Sequence, residues 1–183
     1  MEQTTAHILQ RTREWVGQVV IGLQLCPFAA RPYKQELIRY QLSTARDNDQ
    51  LILDLSAELQ LLLDSSPEEI ETTVLVHPYM LTDFFDYNDF LALADDVLCD
   101  ANLEGVFQIA SFHPQYQFAG SEPDDISNYS NRSPYPMLHL LREESVSQAV
   151  ASHPDIETVP EQNIARLQDL GHQGFRAHWN PEG

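Results

Sequence analysis

Ser133-Pro-Tyr-Pro-Met-Leu-His-Leu-Leu-Arg-Glu-Glu-Ser-Val-Ser-Gln-Ala-Val150 is the stretch on which the architecture turns. It reads as a helix from Pro134 to about Ala151. Ser133 is a good N-cap, Pro134 falls at the first helical position, and Pro136 in the first turn displaces no intrahelical bond. Val146, Ala149 and Val150 define an apolar face, and one or two turns earlier that face carries His139, Arg142 and Glu143. A helix meant only to pack would place Leu or Ala there. Burying an Arg and a Glu is costly unless they are paired. They therefore form a buried ion network or line a cavity, and both readings stay open.

Immediately upstream, residues 113–132 form a connection of about 20 residues, and loops that long tend to carry function or lack order. Its aromatics Tyr116, Phe118 and Tyr129 favour order. Three apolar runs before it read as strands: 37–43, Thr72 to Val76, and Val106 to Phe112. Helices separate them. Residues 5–25 set Ile8, Trp15, Val19 and Leu23 on one side, and Cys26-Pro27 ends that helix. Asp47 or Asn48 caps a helix running to about Leu63, with Ile52, Leu55, Leu59 and Leu62 inward. In 83–100, Phe84, Tyr87, Leu91, Ala94 and Leu98 face inward, and Cys99 reads as core. Pro160 opens a last helix to Leu170, Gly171 ends it, and 174–183 read as a loose tail. Strands alternating with helices predict an α/β fold. It would be a small three-stranded, parallel sheet covered by helices on both faces, in a single compact domain spanning 1–183. A ferredoxin-like α+β arrangement is the alternative.

Of 183 residues, 43% are apolar and 21% charged, which suits a globular chain with a sizeable core. No apolar run reaches the length of about 20 residues that spans a bilayer. The N-terminus lacks the pattern of a secretion signal, so a cytoplasmic location and no membrane partner are expected. The two cysteines, Cys26 and Cys99, have no C-x-x-C spacing. The net charge of −18 is uneven: residues 47–71 hold eight acids and 83–104 hold seven, with no Lys or Arg in either. Such a surface repels phosphate backbones, so no nucleic-acid partner is expected. The acidic runs are solvated helix faces or a docking face for a basic protein partner.

Two strands end alike, on His77-Pro78 and His113-Pro114. In a parallel sheet both histidines sit at the carboxyl edge, where open α/β folds build their sites. His113 is the candidate general acid or base there, with His139 a second. Asp124-Asp125 offers a carboxylate, and Asp125 is the candidate base of that pair. Asn128, Asn131, Arg132 and Ser133 lie where a small anion, a carboxylate or phosphate, would be held, and Arg142 would add a second fork. In the rival chemistry, His113, His139 and Glu143 supply two imidazoles and a carboxylate, a set suited to a non-haem iron or zinc centre. Cys26 is the candidate nucleophile. A helix C-terminus raises a thiol pKa, however, so a cation such as Arg31 or Arg132 would have to lower it.

Leu25-Cys-Pro-Phe-Ala29, Phe107-Gln-Ile-Ala-Ser-Phe-His-Pro-Gln-Tyr-Gln-Phe-Ala-Gly120 and Asn131-Arg-Ser-Pro-Tyr-Pro-Met-Leu-His-Leu-Leu-Arg-Glu143 resemble the bacterial domain of unknown function 1415 family. The likeness continues into Pro160-Glu-Gln-Asn-Ile-Ala-Arg-Leu167. It implies a small, soluble bacterial protein and carries no catalytic residue over. On the residues alone, the expected function is an enzyme or small-molecule-binding protein acting on an anionic metabolite. A mononuclear metal-dependent enzyme and a non-catalytic acidic adaptor are the alternatives.

Overall fold

The computed structural model describes residues 4–152 and 156–180. Its sheet has four strands, β1 (Ile38–Leu42), β2 (Thr72–Val76), β3 (Phe107–Phe112) and β4 (Met137–Arg142), in the spatial order β1-β2-β4-β3. β1 and β2 pair parallel, and β4 runs antiparallel to both of its neighbours. β1, β2 and β3 thus share one direction, but the expected three-stranded parallel sheet is a mixed sheet of four. The chain order β-α-β-α-β-β also departs from the β-α-β-β-α-β order of the ferredoxin-like alternative.

The run expected to open a helix is a central strand instead. Met137, Leu138 and Leu140 are all 0% exposed. An apolar run buried on both faces has no period that separates a central strand from a buried helix. Leucine's preference for the helix amounts to tenths of a kcal/mol per residue. Two backbone ladders outweigh it: β4 pairs Met137 to Leu141 with Val76 to Thr72, and Met137 to Arg142 with Phe112 to Phe107. The two prolines lie in the lead-in to the strand, and the Pro136 carbonyl accepts the His77 N–H at 3.0 Å. Only the second half of the expected helix is helical, as α5 (Glu143–Ser152).

Before it come α1 (Thr5–Trp15), α2 (Ala30–Lys34), α3 (Asn48–Asp64) and α4 (Phe84–Asp100), and after it α6 (Val159–His178). α1 continues as a π-helix over Val16–Ile21, and Gln24 at φ 54° turns the chain before Cys26-Pro27. α3 and α4 cover one face of the sheet, packing Leu51, Leu55, Leu59, Leu62, Tyr87 and Phe90 on Leu75, Leu138 and Leu140. α1, its π-helical extension and α6 cover the other, packing Ile8, Trp15, Val19, Leu167 and Phe175 on Val74, Val76 and Met137.

Three further expectations change. Gly171 (φ 62°, ψ 173°) is non-helical and ends the first segment of α6 as expected, but a second helical segment follows the kink, and Phe175 and Trp179 are buried. The described part of the expected loose tail is therefore packed, with the Arg11 guanidinium over the Trp179 ring at 4.2 Å. Residues 181–183 lie outside the described residues. Cys99 is exposed, because Leu98 takes the buried position of that turn. Glu58, from the acidic run, is buried and pairs with Arg39 of β1 through contacts of 2.7 and 3.0 Å.

Tyr87 ties α4 to the first β3–β4 pair. Its hydroxyl accepts the Phe112 N–H at 3.0 Å and donates to the Met137 carbonyl at 2.8 Å. Burial pushes its pKa far up, so it stays a phenol. Tyr87→Phe keeps the ring and strands two covered backbone groups. It is expected to cost about 2 kcal/mol of unfolding free energy in urea titration, against about 0.5 kcal/mol or less for a surface change such as Asn88→Ala.

Candidate functional site

Because β2 and β3 run the same way, the residues that follow them reach the same edge of the sheet, one on each side of the start of β4. His77 follows Val76 and His113 follows Phe112, and both are 0% exposed. The Tyr87 ring packs on both imidazoles, its centroid 5.8 Å from that of His77 and 5.0 Å from that of His113. The expectation that both histidines gather at the carboxyl edge matches this placement.

Their surroundings differ. His113 Nε2–H donates to the Leu81 carbonyl at 3.0 Å, and Nδ1 accepts the Gln115 N–H at 3.0 Å. Both nitrogens are therefore engaged and the tautomer is set. Burial pushes the His113 pKa down, opposed by the Leu81 carbonyl and the Asp83 carboxylate. Leu81, whose carbonyl takes this bond, sits at φ 52°, a left-handed conformation costly for a leucine. Among the described residues, His77 has no hydrogen-bond partner at either ring nitrogen. Burial pushes its pKa down to about 4, and the Met80 carbonyl opposes this weakly without meeting hydrogen-bond geometry.

Beside His113 opens a cleft of about 330 Å³ between the start of α4 (Asp83, Phe84, Phe85) and the loop that follows β3 (Gln115, Gln117, Pro123), with Arg132 in its wall. The Asp83 carboxylate caps α4, accepting the Phe85 and Asp86 N–H groups at 2.9 and 3.3 Å. Arg132 Nε–H donates to the Tyr116 carbonyl at 3.2 Å and its Nη2 to the Pro123 carbonyl at 2.5 Å, while the guanidinium stacks over Tyr129 at 4.5 Å. None of these partners is a carboxylate, and Arg132 has no salt bridge among the described residues. The guanidinium is held in place without a paired carboxylate among the described residues, although Asp83 lines the same cleft.

The other expected site residues of the loop are occupied in ordering it. Asn128, 0% exposed, accepts the Phe118 N–H and the Ser121 hydroxyl at 3.0 and 2.7 Å and donates to the Glu122 carbonyl at 2.9 Å. Asn131 donates to the Ser111 carbonyl, and the Ser133 hydroxyl to the Tyr135 carbonyl. Asp125 accepts the Ser127 N–H at 2.8 Å, which holds its carboxyl below the usual range.

The residues of the expected helix lie elsewhere. His139 faces the α1 side, its ring 6.2 Å from Phe112, and so sits across the sheet from His113, which packs on Phe84 and Tyr87 of α4. Its Nε2 is 2.7 Å from the Thr72 hydroxyl, which itself donates to the Leu140 carbonyl, so Nε2 carries the proton. The ring keeps some exposure, yet burial pushes its pKa down to about 4. Arg142 pairs with Phe107, at the far end of β3. It donates to the carbonyls of Leu62, Ser65 and Ile70 at 2.7, 2.8 and 2.9 Å, supplying the cation that the last turn of α3 lacks. Glu143 follows it, and a strand's rise of about 3.3 Å per residue puts roughly 20 Å between Glu143 and His113. The expected His113–His139–Glu143 metal set is therefore not brought together. Among the described residues no three His, Cys, Asp or Glu side chains come close enough to hold an ion. The Cys26 thiol is pushed up by burial, against the pull of the Phe28 and Ala29 N–H groups.

Sequence reasoning did not name Asp83, Phe84, Phe85 or Tyr87 as site residues. The available signal was Phe85, which falls off the inward stripe of its own helix and is 70% exposed.

His77 and His139 bind protons far more weakly folded, at about pH 4, than at the unfolded value of about 6.5. The unfolded chain holds more protons between those values, so their contribution to stability falls as pH drops through that window. Each imidazole accounts for at most about 3 kcal/mol. His77→Phe keeps the stack on Tyr87 and removes two unpartnered nitrogens. Its stability advantage over the wild type is expected to widen as pH falls from about 6.5 to about 4.5, read from urea midpoints. A constant gap would show that His77 is not held neutral.

No helix among the described residues is long and apolar enough to cross a membrane. No curated protein and no solved structure matches the chain. The family model described as "Protein of unknown function (DUF1415)" matches residues 7–177, a span that takes in all four strands and the cleft. The chain therefore belongs to the DUF1415 family.

Proposed function

We propose that this protein binds a small anionic metabolite in the cleft beside His113, with Arg132 as the anion's partner. The observation that carries this reading is the state of Arg132. In a chain of net charge −18, one guanidinium is fixed by neutral carbonyls and lines a cleft with no ion-pair partner among the described residues, the Asp83 carboxylate of the same cleft being engaged in capping α4. Setting a rigid donor fork before the ligand arrives lowers the entropic cost of a bidentate contact with a carboxylate or phosphate. The cleft, at about 330 Å³, sits at the small end of ligand pockets. Phe84 and Phe85 on the facing wall suit a flat apolar body, so the favoured ligand is an aromatic or unsaturated carboxylate.

Binding is favoured over acid–base catalysis because both His113 nitrogens are already engaged. An enzymatic reading would need that ring to release Leu81 or Gln115. The mononuclear metal reading has less support, since its three ligands lie on different faces and at different edges of the sheet.

Calorimetry and thermal shift with benzoate-type carboxylates, aliphatic carboxylates and phosphate test this. An aromatic carboxylate is expected to raise Tm, and its neutral amide analogue is not. Phe85→Ala should weaken binding about 5-fold at unchanged Tm, because that ring is already exposed. Arg132→Lys keeps the charge, loses the fork and should weaken binding at least about 10-fold. The proposal fails if no anion binds more tightly than chloride, or if both variants bind as the wild type does.

A further inference from the structure

We infer a second, separate site on the outer side of α4, a docking groove for a basic amphipathic helix of a partner protein. A groove of about 370 Å³ runs between the start of α3 and α4. Its apolar floor is Leu81, Phe90 and Leu93, and Asp86 and Asp89 stand along it. Asp86, Asp89 and Leu93 are spaced three and four residues apart and so form one stripe of the helix. Both carboxylates are exposed and have no ion-pair partner among the described residues. Neither acidic run, 47–71 or 83–104, contains a Lys or Arg. The nearest base in sequence, Arg46, lies over the Tyr79 ring at 4.2 Å.

Half of the exposed large apolar side chains among the described residues lie on the same two helices, Leu53 and Leu63 of α3 and Phe85 and Leu93 of α4, and Leu93, 39% exposed, lines the groove itself. Large side chains left in water beside rows of carboxylates suit a partner that brings both an apolar anchor and positive charge. The same charges argue against a second copy docking through this face, since a two-fold contact would set Asp86 and Asp89 against their own equivalents. A helix laid in the groove would set one Leu or Phe on Leu81, Phe90 and Leu93 and flank it with Lys or Arg opposite the two aspartates.

The test uses the whole protein and a fluorescently labelled 16-residue peptide bearing Leu or Phe at i, i+4 and i+7 flanked by Lys and Arg. Binding is expected with Kd in the micromolar range, weakening about 10-fold between low and physiological salt as exposed ion pairs are screened. Asp86→Asn with Asp89→Asn should weaken it about 10-fold, and Leu93→Ala about 5-fold, each at unchanged Tm. The charge-matched control, Glu68→Gln with Glu69→Gln, should leave it as in the wild type. The inference is overturned if the peptide does not bind, if a scrambled peptide of equal charge binds as well, or if the control lowers affinity as much as the groove variants. It is also overturned if sedimentation shows a dimer of this chain that Leu93→Ala dissolves.

Discussion

Everything in this structure waits on the insertion of β4 between β2 and β3. Until those six residues arrive, β2 and β3 have no common partner, and two rows of backbone donors and acceptors are open at the centre of the sheet. β4 answers both rows at once, and Leu138 and Leu140 on one face and Met137 on the other close the two halves of the core. Central strands are costly to misplace, because a slip by one residue would exchange those faces and turn Arg142 and His139 into the wrong layers. Tyr87 guards that register at the first pair, from a helix already packed on the sheet.

The insertion explains the polar crowding of the long loop. The chain must leave β3, travel out and return antiparallel beside it, and that excursion has no ladder of its own. Side chains supply the missing bonds. Asn128 joins three parts of the loop, Arg132 staples Tyr116 to Pro123, and His113 joins the loop's start to the turn before α4. A concentration of versatile side chains can therefore be a means of ordering backbone. Neutral carbonyls satisfy the geometry of Arg132 as they do that of Arg142, but Arg132 does so in the wall of the cleft.

α4 has two characters. Its inner side is aromatic and carries the Tyr87 bridge, while its outer side is acidic with exposed apolar residues. Its first turn separates the cleft from the groove, and Leu81, which lines the groove, is also the residue whose carbonyl His113 holds. The left-handed Leu81 thus lies between the groove it lines and the histidine beside the cleft, and different side chains line the two hollows.

Much was legible from residue order alone. The first three strands, the inward stripes of α3 and α4, the core role of Trp15 and the His-Pro ends at one edge follow from periodicity and from proline stereochemistry, which are local properties. Helices on both faces follow from the alternation of elements. The identity of β4 did not follow, since a run apolar on both faces carries no period. The order of the last residues was hidden as well, because Phe175 and Trp179 are buried only by what α6 packs against. Which of His113, His139, Arg132, Arg142 and Glu143 would meet was decided by topology. One strand read as a helix sends alternate residues to opposite faces and consecutive ends to opposite edges, so side chains close in sequence part by the thickness and the length of the sheet.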